Sequence, residues 1–191
     1  MATTQPIRDK RQLRTFAEYY LKRGEIRNHV LIVLGVHTAL RVCDLLRLTW
    51  DDVYDFENGR FHVNVFITEK KTGKSKMLTL NKRVISALTV YLSAARRGRV
   101  LFASRKGENM PISRQQAYRI IRAAAEALGF AFRVSCHSLR KTFGYLAWKA
   151  DIPPMVIMRV FNHSSLAVTQ RYLGVTQDDI DDCYHKLAAL T

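Results

Sequence analysis

Residues 9–22 place Leu13, Phe16, Ala17, Tyr20 and Leu21 at the i, i+3, i+4, i+7 and i+8 spacing of one helix face, and Gly24 ends the run. The next stretch, Arg27 to Leu40, is apolar almost all round, which predicts a buried helix whose end delivers Arg41 to the edge of the core. Asp44 to Leu48 begins a further helix. The period then changes to two. Phe61, Val63, Val65 and Ile67 share one parity, and Met77 to Leu80 follows across Lys71-Thr72-Gly73-Lys74, so this segment predicts a β-hairpin with a basic tip turned by Gly73.

After Asn81 the spacing is helical through Arg97, and Val100 to Ala103 is a short extended piece. Ser113 caps a helix running to Leu128. From Ser135 onward nearly every segment is helical, with Gly174 ending one helix and Gln177 to Leu190 forming the last. No internal repeat, low-complexity tract or linker interrupts the chain. The pattern predicts one α+β domain, mainly helical, with a small antiparallel sheet.

Charge adds a partner to this picture. Thirty-one Lys and Arg against 16 Asp and Glu leave +15, with a sequence pI of about 10.1. Such an excess attracts polyanions, so double-stranded DNA or an anionic membrane surface is the expected partner. The longest apolar stretch, Val30 to Val36, stops at His37, short of the ~20 residues a spanning helix needs, which leaves nucleic acid. The start, Met-Ala-Thr-Thr-Gln-Pro, lacks the features of a secretory signal, so a cytoplasmic protein is expected. Cys43, Cys136 and Cys183 are widely spaced with no C-x-x-C pair, and are expected to be reduced and to hold no metal.

Candidate chemistry begins at His137-Ser138-Leu139-Arg140. At i and i+3 the imidazole and guanidinium leave one helix face, close enough to grip a single phosphate. Alone, such a pair is more often a solvated face. Cys136 beside it is no partner, because adjacent side chains on a helix diverge by about 100°. Further along, Phe161-Asn162-His163-Ser164-Ser165 reads as a helix start, and Tyr172 follows nine residues after His163. Nine residues is two and a half turns, so the two groups converge only if the backbone bends between them. Tyr172 by itself could equally pack its ring and bond its hydroxyl as a half-buried tyrosine.

Taken together, H-x-x-R, His-Ser-Ser and Thr-Gln-x-Tyr at this spacing resemble the tyrosine recombinase, or phage integrase, family. Thr38 to Trp50 resembles the family's first arginine motif, with Asp44 three residues after Arg41, and Lys70-Lys71-Thr72-Gly73-Lys74 resembles its hairpin lysine motif. The four motifs cover about Thr38 to Gly174. The resemblance implies a mainly helical catalytic-domain fold and DNA cleavage and rejoining through a 3′-phosphotyrosyl link, with neither metal nor cofactor. It implies Tyr172 as nucleophile, Arg41, Arg140 and His163 on the phosphate, His137 in proton transfer at Tyr172, and Lys71 as general acid on the 5′-oxygen. Lys70, Lys74 and Lys76 crowd the same turn, and any of the four could be a phosphate contact; the resemblance favours Lys71 for the acid and leaves the others as DNA contacts.

A tyrosine hydroxyl, with a pKa near 10, attacks poorly at neutral pH, so permanently charged forks and a proton donor for the leaving oxygen are what this chemistry requires. The sequence departs from the family at Asn162, where a Gly is usual, and at Leu173-Gly174 after the tyrosine. It also lacks the helical DNA-clamping domain that usually precedes this one, so residues 1–191 are expected to be a catalytic domain alone. Ser104 to Gly107 with Ile112 to Tyr118 resembles the short fimbrial phase-switch invertases. Two rival readings are a silent DNA-binding regulator with this fold and a type IB topoisomerase. The resemblance further implies a homotetramer on paired DNA sites, a monomer when free, and docking of the last helix, through Ile180, Cys183, Tyr184 and Leu187, on a neighbour or on its own core.

Overall fold

The computed structural model describes residues 4–94, 98–107 and 109–188, with the side chains of residues 178, 183, 186 and 187 outside the description. Helix α1 is Lys10–Glu18, capped by the Asp9 carboxylate on the Gln12 amide at 2.6 Å. It is shorter than the spacing predicts, because residues 21–23 tighten into a 3-10 turn that Gly24 closes at φ 72°. Helix α2, Ile26–His37, is the buried centre expected from its all-round hydrophobicity, with Val30, Leu31, Ile32 and Leu34 fully covered. It packs against α5, Lys82–Ala94, and α7, Cys136–Lys149.

Between Val42 and Phe61 the structure is finer than the pattern suggests. A single turn α3, Val42–Leu45, replaces the expected Asp44–Leu48 helix, and α4, Trp50–Val53, follows under a Thr49/Asp52 capping box. Strands β1, Tyr54–Asp55, and β2, Arg60–Phe61, form a small hairpin of their own. Phe61 therefore does not lie in the longer strand its parity suggested. It pairs with Tyr54, whose ring is 4.9 Å away, and the Asp55 carboxylate accepts the Glu57 and Asn58 amides to fold the turn.

The expected basic hairpin is β3, Asn64–Thr68, paired antiparallel with β4, Ser75–Thr79. Val65 and Leu78 face the core while Phe66 and Met77 face outward. Gly73, at φ 66°, turns the connecting loop as expected. Val100 to Ala103 makes isolated bridges rather than a strand, through Thr49 to Val100 and Ala103 to Pro111. Helix α6, Arg114–Ala127, starts under the predicted Ser113 cap. Helices α8, Pro154–Phe161, α9, Leu166–Leu173, and α10, Gln177–Ala188, complete the fold. The expected extensions of α5 through Arg97 and of α10 to Leu190 lie outside the described residues. Cys43 and Cys136 are free thiols, and the Cys183 side chain is outside the description. Besides the main core, a second cluster of Ala39, Ala147, Ile157, Phe161 and Leu173 sits under α7 to α9. No helix among the described residues is long and apolar enough to cross a membrane.

Candidate active site

The site forms where the ends of α2 and α8 meet α7. Arg140 is the largest fully buried side chain, 1% exposed, and two backbone carbonyls hold it. Its Nη1 donates to Ala39 O and its Nη2 to Phe161 O at 2.8 Å. Ala39 follows α2 with φ 56° and Asn162 closes α8 with φ 53°. Neither is glycine, and a left-handed backbone at such residues is a locally unfavourable conformation that the surrounding packing must impose. Asn tolerates that conformation better than other non-glycine residues, which accounts for Asn162 at the family's usual Gly position. The guanidinium lies over Phe161, 4.6 Å from the ring centroid. Burial first, and Arg41 second, lower Arg140 to about 10, so it stays charged at neutral pH.

His137 is fixed at the start of α7, where the Ser135 hydroxyl accepts its amide at 3.2 Å and the Ser138 hydroxyl accepts the Ser135 amide at 3.1 Å. Its Nε2 is 2.7 Å from the Tyr172 hydroxyl. Although the residue reaches the surface, desolvation around the ring, together with Arg140, Lys141, Arg41 and Lys71, lowers its pKa. The neutral ring can thus accept the tyrosine proton.

His163 follows the left-handed Asn162 and precedes the Ser165 cap of α9, so the chain bends between His163 and Tyr172 as their convergence demands. The two rings lie 4.8 Å apart. His163 Nδ1 is 3.1 Å from the Thr169 hydroxyl, and its Nε2 is 3.4 Å from Arg140 Nη2. Burial, then Arg140 and Arg41, push its pKa down to about 4.

Arg41 pairs with Glu69, Nη1 to Oε2 at 2.7 Å, and not with Asp44. Asp44 instead accepts the Lys70 amide at 2.8 Å, and Glu69 Oε2 accepts the Thr72 hydroxyl at 2.8 Å. Two buried carboxylates therefore tie the hairpin loop to the Arg41 turn. Lys70, Lys71 and Lys74 are exposed on that loop, and Lys71 acts on His137 only through its charge. Lys76 is not with them. It is 8% exposed on the inner face of β4, level with Ile67.

The structure thus gathers Tyr172, His137, Arg140 and His163 in contact, brings Arg41 within electrostatic reach, and leaves Lys71 at the rim. The residue that sequence reasoning missed is Glu69. Its parity, shared with Val65 and Ile67, marked it as inward-facing, just as Leu78 and Leu80 marked Lys76.

A tyrosine hydroxyl 2.7 Å from one imidazole, with a buried guanidinium and a second imidazole against its ring, is an arrangement able to move a proton off the tyrosine and to bind an anion beside it. Comparison with known proteins gives the family. The chain matches the phage integrase family over residues 8–178 and belongs to it. It is 32% identical over 190 residues, spanning the full length of both chains, to the probable integrase/recombinase YoeC of Bacillus subtilis (strain 168). It is 28% identical over 159 residues to tyrosine recombinase XerD of Mycobacterium tuberculosis (strain CDC 1551 / Oshkosh), covering 79% of this chain and 49% of that one. The chain therefore spans about half the length of XerD.

The fold is that of the tyrosine recombinases. The crystal structure of XerA recombinase superposes with a TM-score of 0.77 at 20% identity, over 96% of this chain and 66% of that one. XerH, solved as a post-cleavage complex with palindromic difH substrate, gives 0.77 at 20% identity, over 96% and 53%.

Proposed function

We propose that this recombinase cleaves and rejoins DNA at a specific site through a covalent Tyr172 intermediate. The observation that carries the reading is the 2.7 Å contact between Tyr172 Oη and His137 Nε2, set beside Arg140 and His163. In the step proposed, the Tyr172 oxygen attacks the scissile phosphorus as its proton passes to His137. The bond to the 5′-oxygen breaks, and Lys71 gives that oxygen a proton. Arg41, Arg140 and His163 hold the non-bridging oxygens, each a donor of a kind typically worth ~3–4 kcal/mol in barrier height. The product is a 3′-phosphotyrosyl link and a free 5′-hydroxyl, which a second strand reopens by the reverse reaction.

The exposed Lys70 and Lys74 extend the phosphate-binding surface, and double-stranded DNA is the partner, met in the cytoplasm. The relatives carry the names of integrases and recombinases, which favours strand exchange over relaxation or silent binding. Assembly as a homotetramer on paired sites is part of the same proposal.

On a nicked duplex carrying the recombination site, the wild type is expected to form an SDS-resistant adduct that Tyr172→Phe does not form. An undiminished adduct in the variant would remove Tyr172 from its role.

A further inference from the structure

The chemistry above leaves two buried charges without a task, Glu69 and Lys76. Glu69, just past the end of β3, is 1% exposed and Lys76, within β4, 8%, each sharing the parity of inward-facing apolar side chains. Glu69 Oε2 accepts from Thr72 and forms an ion pair with Arg41 Nη1 at 2.7 Å that lacks hydrogen-bond geometry, while Glu69 Oε1, the Lys76 Nζ and the Asp44 Oδ2 have no hydrogen-bond partner. Unpartnered charged atoms in a protein interior are costly, so these three await an arrangement that satisfies them.

Four charged groups face the Lys76 ammonium: Arg41 and Asp44 from the α3 turn, Glu69 from the end of the hairpin strand, and Arg140 from α7. Burial lowers Lys76 to about 8, with Arg140 and Arg41 adding to the effect and Glu69 and Asp44 opposing it. Burial would raise Glu69, but the Thr72 hydrogen bond and the paired Arg41 guanidinium outweigh it and hold its pKa below the usual value. Three cations and two carboxylates leave the cluster with a single positive charge, which one phosphodiester neutralises.

A guanidinium nitrogen held by a buried carboxylate is not free for a phosphate oxygen. We infer that Glu69 and Lys76 are an exchange pair for Arg41: Glu69 occupies the Arg41 guanidinium in the DNA-free protein, and Lys76 takes Glu69 when a phosphodiester takes Arg41. The inference rests on Arg41 as a phosphate ligand. A four-carbon stem lets the ammonium make the short movement that a planar guanidinium fixed by two partners could not. Because Thr72 shares Glu69 Oε2 and the Lys70 amide binds Asp44, the exchange also reaches the loop that carries Lys71. Glu69 and Lys76 are thus positioning residues, acting on Arg41 and the loop.

Sulfate, a divalent oxyanion that does not titrate near neutrality, serves as the probe on the full chain. Glu69→Gln is expected to bind sulfate about 5-fold more tightly than wild type, and Lys76→Met about 10-fold more weakly. In the Glu69→Gln background the Lys76→Met effect should shrink at least ~3-fold, because no carboxylate remains to be transferred. In wild type labelled at lysine Cε, the NMR titration midpoint of Lys76 should rise on adding sulfate, and in Glu69→Gln it should rise markedly less.

An equal Lys76→Met loss in both backgrounds, a midpoint that sulfate leaves unmoved, or no sulfate binding by wild type overturns the exchange. If Lys76→Met does not fold, the midpoint measured in wild type and Glu69→Gln decides. The Tyr172→Phe adduct assay reads the recombinase chemistry separately.

Discussion

His163 shows how one residue links the site to stability. Its pKa of about 4 in the folded protein lies below the 6.5 of an unperturbed histidine, because the ring is desolvated and faces Arg140 and Arg41. Between those two values the unfolded chain binds a proton that the folded protein refuses. Stability therefore rises with pH across this window, is fully present above about pH 6.5, and is lost as pH falls towards 4. His137 is also lowered, so it adds loss in the same direction. Urea unfolding at several pH values should show wild-type stability dropping from pH 7 to pH 4.5, and His163→Gln should drop less steeply. Parallel curves for the two proteins would mean that the ring is not held neutral. The same depressed value fits the proposed role, since a ring that is neutral at pH 7 can sit against the Arg140 guanidinium without adding a like charge.

At the scale of elements, the position of Tyr172 depends on how closely α9 approaches α7. A Cβ built on Gly144 would lie 3.0 Å from the Tyr172 carbonyl oxygen and 3.1 Å from the Phe161 ring. The first neighbour is backbone, so α9 itself would have to move. Gly144→Ala is expected to displace the tyrosine from His137, lowering the rate of adduct formation by about 10-fold or more, as misplacements of about 1 Å do. Stability should fall by roughly 1–3 kcal/mol, as for other overpacked sites. Rapid-quench cleavage and a thermal melt read the two effects, and an unchanged cleavage rate would show that this close approach does not set the nucleophile. Nothing in the sequence marks Gly144 for this task, because the neighbour it must admit is 28 residues away. The legible parts were those encoded locally. The Ser113 cap, the helix start at His163-Ser164-Ser165, the all-apolar α2, the Gly73 turn and the Gly174 stop all follow from a few adjacent residues. The paired Tyr54–Phe61 hairpin and the Arg41–Glu69 ion pair were not legible in the same way, since each depends on partners brought together by the fold. Lys76 shows the middle case: its parity pointed inward, but its charge and its place in a basic run suggested the surface.

Across the whole molecule, the excess of 15 positive charges is unevenly employed. Arg41, Arg140 and Lys76 are committed to the interior beside Glu69 and Asp44, and Lys149 binds Asp179 where α10 leaves α9. Ile180 and Tyr184 of the last helix stay exposed and, with Trp148, Pro154, Leu166 and Leu173, line an open apolar groove. The exposed loop lysines, and a cleft of about 860 Å³ lined by Arg27, Arg105, Lys106 and Arg119, leave basic surface available to a long polyanion. Each phosphate neutralised by such a surface releases condensed counterions, so the logarithm of affinity falls linearly with that of salt, with a slope of about −0.9 per phosphate. If the proposed interface engages six to ten phosphates, DNA affinity should fall by roughly 10³–10⁵ between 50 and 200 mM salt. Lys70→Gln with Lys74→Gln should reduce the slope by about two, one for each exposed ammonium removed. Lys76→Gln should leave the slope nearly unchanged, because its buried ammonium meets no condensed ion in the free DNA's atmosphere. Fluorescence anisotropy on one duplex across a salt series measures all three slopes, and a Lys76→Gln slope reduced like that of the loop variants would place that lysine on the DNA surface after all.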